Sequence, residues 1–186
     1  MTTQAIEIPG YVAGIWDIDP VHSHIGFVGR HMVVSKVRGR FETFAGQIVT
    51  AEDPLRSSAT LTVEMNSVTT GNQIRDDDLR SDNFFAAATY PIMTYRSTGI
   101  RRHGHDLVVD GELTVRGVTR PVSLTVEVNG FTTDPADGSV RAGFSATGEI
   151  NRMDFGVCSN VPIGGGLASD KVRIDIEAGA VLRKQM

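Results

Sequence analysis

Apolar and polar residues alternate along most of this chain, the period of a strand with one dry and one wet face. Ala59, Leu61, Val63 and Met65 alternate with Thr60, Thr62 and Glu64, and Val122, Leu124, Val126 and Val128 with Ser123, Thr125 and Glu127. Near the end, Val172, Ile174, Ile176 and Ala178 oppose Arg173, Asp175 and Glu177. Shorter runs predict strands over 14–19, 25–31, 37–50, 92–97, 107–116 and 140–150, with Gly39 and Gly46 interrupting the third of these. Turn signals fall at 52–54, at 101–106 with Gly104 near a hairpin tip, at 117–121 and at 134–138. About eight strands joined by short polar turns predict an all-β fold, an antiparallel barrel or a two-sheet sandwich. An eight-stranded closed sheet has room for a packed interior or one small ligand, and alternation alone leaves both open.

The alternation stops over 67–91, SVTTGNQIRDDDLRSDNFFAAATYP. Asp76 and Arg80 stand four apart in the order that favours a helical ion pair. Ile74, Leu79 and Phe84 drift five by five off any one helical face, which argues against a long amphipathic helix. The expectation is a short helical insertion near 72–88: a helix over 72–80, a break at 81–82 and a second turn through 84–88. Pro91 then returns the chain to extended structure. Such an insertion, ending in Phe84 and Phe85, reads as a lid or plug. The Asp76-Asp77-Asp78 run lacks the alternate-position ligands and glycine of a calcium loop and reads as a solvated acidic helix start.

At 186 residues the chain suits a single domain over 14–186 behind a flexible tail, 1–13, which contains Pro9 and Gly10. A net charge of −4 argues against nucleic acid as a partner. A lone cysteine, Cys158, excludes an internal disulfide and fits a reducing compartment. The first residues, MTTQAIEIPGYVAG, show neither a basic nor an apolar signal region, and no apolar run is long enough for a transmembrane helix, so cytoplasmic residence is expected.

Candidate chemistry is sparse. His22 with His24, and His103 with His105, have the spacing that places two imidazoles on one side of a strand, but no cysteine or carboxylate cluster completes a metal site, so no metal is expected. Ser35, Cys158 and Ser159 lie beside no evident base and outside any nucleophile motif, so no catalytic residue is assigned. The Gly164-Gly165-Gly166 run lacks the lysine and hydroxyl of a phosphate loop. It reads as a surface loop that at a barrel mouth could meet a diphosphate head group.

Many short pieces in one order resemble the YceI-like, polyisoprenoid-binding family. They run from Trp16-x-Ile18-Asp19 with His22-Ser23, through Phe27, His31-Met32, Gly39-x-Phe41 and Phe44-x-Gly46, to Thr70-Gly71-Asn72, Arg75-Asp76, Leu79-Arg80-Ser81 and Asn83-Phe84-Phe85 with Tyr90-Pro91. Gly111-x-Leu113-Thr114, Gly117-Val118-Thr119-Arg120-Pro121 and Asn151-Arg152-x-Asp154-Phe155-Gly156 complete the set. Gly14-Ile15-Trp16 is also similar to the G-x-W of lipocalins, whose indole closes one barrel end. The resemblance implies a lipocalin-like barrel and a non-enzymatic protein that encloses an isoprenoid-type lipid, such as a polyprenyl phosphate or isoprenoid quinone, with no other cofactor. Residues implied at the ligand are Phe27, His31, Phe41, Phe44, Met65, Leu79, Phe84, Phe85, Tyr95, Phe144, Met153 and Phe155. Arg75, Arg80, Arg120 and Arg152 are the head-group candidates. Exposed edge strands, and the habits of the family, fit a homodimer. The competing expectations are a packed barrel acting as a protein-interaction module and a metal-dependent enzyme using the histidine pairs.

Overall fold

A computed structural model describes residues 6–32, 34–157 and 169–185. Eleven strands and one helix follow in order: β1 (Gly14–Ile18), β2 (His24–His31), β3 (Ser35–Phe41), β4 (Phe44–Thr50), β5 (Ser58–Glu64), β6 (Val68–Thr69), α1 (Gln73–Arg80), β7 (Ile92–His103), β8 (Asp106–Val115), β9 (Val118–Thr133), β10 (Val140–Asn151) and β11 (Lys171–Leu182). Every ladder is antiparallel, and the sheet runs β1-β4-β5-β7-β8-β9-β10-β11, with β11 pairing back onto β1. The result is a closed eight-stranded antiparallel barrel with one short helix, and the sandwich alternative does not hold.

β11 carries a second layer of pairing. Its end from Ala180 to Leu182 pairs β1, and its beginning, Arg173 to Glu177, pairs β2. β2 in turn pairs β3, and β3 pairs the short β6. β1 with β2, and β3 with β4, are thus two long bent ribbons. The second bends at Glu42 and Thr43, between the strands. The predicted interruptions, Gly39 and Gly46, instead lie inside strands, Gly39 because the Phe27 ring lies across it in the facing register position and leaves no room for a Cβ.

The turn expected over 117–121 is confined to Arg116 and Gly117, both in the left-handed region. Pro121 already belongs to β9. The first half of β9 pairs only β8, because β10 joins it from Thr125 onward. A proline is tolerated there because its missing N–H falls on an unpaired edge.

One barrel end is sealed by aromatic rings. Trp16 is completely buried, its Nε1–H donates to Thr50 Oγ1 at 2.8 Å, and it packs edge-on to Phe131 at 5.5 Å between centroids. Tyr11 stacks edge-on to the same Phe131 at 5.6 Å and donates its hydroxyl to the carbonyl of Ala51 at 2.7 Å. The loose tail expected through residue 13 is therefore tied down from Tyr11 onward.

At the other end stands α1. Asn72 caps it by accepting the N–H of Arg75 at 3.0 Å, and the helix stops at Ser81, as the break at 81–82 predicts. The second helical turn expected over 84–88 is instead a run of tight turns around Ala86, which adopts φ 48°. Its backbone bonds back to α1, with Phe85 N–H on Leu79 O and Ala87 N–H on Arg80 O, both at 2.9 Å. Phe84 and Ala87 face inward and are buried.

Candidate functional site

Inward-facing positions on alternate strands leave an apolar bore rather than a solid core. A cavity of about 190 Å³ lies towards α1, and a second of about 150 Å³ towards the Trp16 end. Ile25, Leu61, Tyr95, Leu124 and Ile176 line both, so the two adjoin at a waist drawn from β2, β5, β7, β9 and β11. The lower chamber is floored by Leu79, Phe84 and Phe85 from α1 and the turns after it. The upper is walled by Ile48, Val126, Phe144 and Ala146. Together they slightly exceed the roughly 300 Å³ at which ligand pockets begin.

Tyr95 is the polar member of the waist. Its hydroxyl donates to the carbonyl of Val122 at 3.0 Å, and the ring lies against Gly111, where a Cβ would collide with it. Burial, helped by the charge of Asp110, pushes the phenol up to about 12.

The hydroxyl-bearing residues Thr50, Ser57, Ser58 and Thr60 line part of the upper chamber, but among the described residues the cations stand at the lower one, where Arg30, His31, Arg75, Arg152 and Ser169 contribute to the lining. Arg75 is held by Thr70, donating Nε to Oγ1 at 2.8 Å and Nη2 to the carbonyl at 3.1 Å. Arg152 is buried; it donates to the carbonyls of Ser169 at 3.0 Å and Val157 at 2.6 Å, and meets Asp170 Oδ1 at 3.3 Å. Asn151 caps the turn that carries Arg152, and Gly156 ends it with φ 73°. Both cations are therefore fixed by backbone and side-chain acceptors beside an apolar space.

The structure brings together Phe27, His31, Phe41, Met65, Leu79, Phe84, Phe85, Tyr95, Phe155, Arg75 and Arg152 around the lower chamber, and places Phe144 on the upper one. Four of the residues implied by resemblance stand elsewhere. Phe44 is packed in the core without reaching the chambers. Met153 points outward and is exposed, because it occupies the solvent side of a short turn. Arg80 is structural: it donates to the carbonyls of Asn66 and Val68, both at 2.9 Å, and pairs with Asp77, not with Asp76 as the helical spacing predicts. Arg120 sits exposed on the half-paired stretch of β9 and, among the described residues, reaches only the neighbouring Thr119 carbonyl. Asp76 overturns the picture of a solvated acidic start. It is buried and accepts both the N–H and the hydroxyl of Thr70.

The aliphatic waist residues went unassigned in sequence. Each sits on a cleanly alternating strand, which marks its face but not its height along the bore. His22 bonds Asp19 at 2.7 Å, while His24, His103 and His105 are exposed. Among the described residues no group of three or more His, Cys, Asp or Glu is arranged to hold a metal ion. Ser35 opens β3 in the open, and Cys158, Ser159 and 164–166 lie outside the described residues.

A family model described as YceI-like domain matches residues 16–180. The chain belongs to the YceI-like family. Protein YceI of Salmonella newport is 34% identical over 169 residues, covering 90% of this chain and 86% of that protein. The crystal structure of a Campylobacter jejuni YceI protein superimposes with a TM-score of 0.70 at 29% identity, over 83% of this chain and 90% of that one. The YceI-like fold is shared more widely. A polyisoprenoid-binding domain from Saccharophagus degradans, implicated in plant cell wall breakdown, gives a TM-score of 0.69 at 20% identity over 90% and 98% of the two chains. No helix among the described residues is long and apolar enough to cross a membrane.

Proposed function

We propose that this YceI-like chain is a non-enzymatic binding protein that encloses one long apolar lipid of isoprenoid type, a polyprenyl phosphate or isoprenoid quinone, for carriage, storage or sequestration. The observation that carries the reading is the pair of apolar chambers joined at a waist, with cations confined to one end. Apolar burial supplies the affinity. At about 25 cal/mol per Å², removing roughly 400 Å² of chain from water gives about 10 kcal/mol before association costs, enough for micromolar binding. The tail runs through the waist, and Arg75, Arg152 and His31 meet an anionic or carbonyl-bearing head group. Aliphatic walls discriminate poorly between similar chains, so several prenyl lengths bind. Cytoplasmic residence and a homodimer are part of this reading. The lone cysteine supports the first, and the outer edge of β3, paired by β6 only at Arg40 and Phe41, supports the second.

Extraction of purified protein with organic solvent and mass spectrometry of the extract, followed by titration with prenyl chains, tests the reading. A co-purifying prenyl lipid, or saturable uptake of added chains, is the expected result. Neither appearing would overturn it.

A further inference from the structure

The hairpin formed by β2 and β3 breaks the rules that shape the rest of the surface. Its tip exposes Val34 at 81% and Met32 at 58% of their free area, where turns ordinarily place Gly, Asn or Asp. Met32 holds φ 50°, a left-handed conformation unfavourable for its side chain. Fold stability explains neither choice, and rule-breaking of this kind concentrates where a surface has work to do.

The arms below the tip add a second anomaly. In a chain of net charge −4, residues 24–41 contain Arg30, Lys36, Arg38 and Arg40 and no acid. Register places most of these cations on one face. Arg30 stands opposite Lys36, Arg38 opposite Val28, and Arg173 on β11 opposite the same Val28. The alternate positions Phe27, His31 and Val37 face the lower chamber, which Arg30 also lines at its mouth, so Lys36, Arg38 and Arg173 share the outside. Arg40 pairs with Glu42 at 3.2 Å, while Lys36 and Arg38 have no carboxylate partner among the described residues. Arg173 faces Glu149 on β10, and Asp175 and Glu177 follow it on the same side of β11, so the cationic part of this face is β3, where Lys36 and Arg38 are open to an anionic surface.

We propose that the β2–β3 hairpin docks on an anionic lipid bilayer, Met32 and Val34 entering the interface while Lys36 and Arg38 meet the head groups. Exposed apolar residues above a cationic band is the arrangement that binds such interfaces. A soluble acidic partner would use the cations but has no need of a bare apolar tip. The mouth lies next door: Arg30 and His31, which end β2, line the lower chamber, and Arg30 is joined through its carbonyl to the N–H of Ser169, also on that lining. The docked barrel therefore turns its cationic opening towards the membrane. The purpose of the docking, though not its geometry, rests on the lipid-container reading above.

Co-sedimentation with vesicles of roughly one-third phosphatidylglycerol in phosphatidylcholine tests this, with pure phosphatidylcholine as control. The protein is expected to bind the anionic vesicles, to lose that binding as salt rises, and to ignore the neutral ones. Lys36→Glu with Arg38→Glu, and separately Met32→Ser with Val34→Ser, should each weaken binding at least about tenfold while melting as the parent does. Lys36→Gln with Arg38→Gln serves if charge reversal impairs folding. No vesicle binding by the parent, or binding unchanged in the variants, overturns the proposal. So does loss only on charge removal, which would indicate a polyanion partner. Prenyl uptake measured in solution should be unchanged in all variants. Vesicle binding by a parent that takes up no prenyl chain would leave the docking surface standing and remove the container reading alone.

Discussion

Asp76 accepts two hydrogen bonds from Thr70, at 2.8 Å from the backbone N–H and 2.6 Å from the hydroxyl. This carboxylate fastens the first turn of α1 to the loop leaving β6, and the same Thr70 holds Arg75 at the chamber. Asp76→Ala should therefore lower stability by about 2 kcal/mol, the cost of stranding donors inside the fold. It should also weaken retention of an anionic-headed lipid more than that of a bare prenyl alcohol. Urea unfolding and paired titrations check the two effects.

Arg116, at the β8–β9 turn, donates to the carbonyl oxygens of Asp82 at 2.9 Å and Phe84 at 2.6 Å. It clamps the segment that floors the lower chamber. Arg116→Ala should cost about 1–2 kcal/mol. Hydrogen exchange should quicken over 84–90 and lipid release should speed up, with the β7–β10 ladders unaffected.

Leu61 lines both chambers. Leu61→Trp fills the waist, so short prenyl chains should still enter the lower chamber while long ones lose at least about tenfold in affinity. The mismatch should cost about 1–3 kcal/mol of stability. Competition between chains of different length reads the split directly. Equal loss for all lengths would mean that the tail does not pass the waist.

Tyr95 gives a pH dependence at the alkaline end. Its phenol, ordinarily near 10, is pushed up to about 12 in the folded chain, so the folded state holds the proton more tightly than the unfolded state does. Stability from this group is complete below pH 10 and falls as pH rises towards 12. The loss should be about 1–2 kcal/mol, allowing for partial exposure of the ring. Comparing chemical denaturation of the parent and Tyr95→Phe across this range checks the sign, since the variant should lack the decline.

Much of the fold was legible because alternation is a direct record of faces. Leu61, Leu124 and Ile176 point inward as their spacing predicts, and Asn72 with Ser81 bounds α1 as predicted. Curvature leaves a weaker trace. The bend at Glu42 and Thr43 carries no glycine, while Gly39 and Gly46 sit in unbroken strands, because a glycine can mark a neighbour's close approach as readily as a corner. Burial of charge was hidden too. Asp76 and Asp77 are adjacent and identical, yet one turns into Thr70 and the other into solvent, a difference that only the path of the β6 loop decides. Met153 and Arg120 show the same limit from the other side. A motif position transfers a residue's neighbourhood in sequence, not the direction its side chain takes.

β11 pairs both β1 and β2, so the container does not exist until its twelve residues, Lys171 to Leu182, are in place. A chain in which β11 has not yet been made has an open gutter and nothing able to keep a guest. Loading thus follows the arrival of β11, and a truncation before Lys171 would lose the vessel itself, not merely its rim.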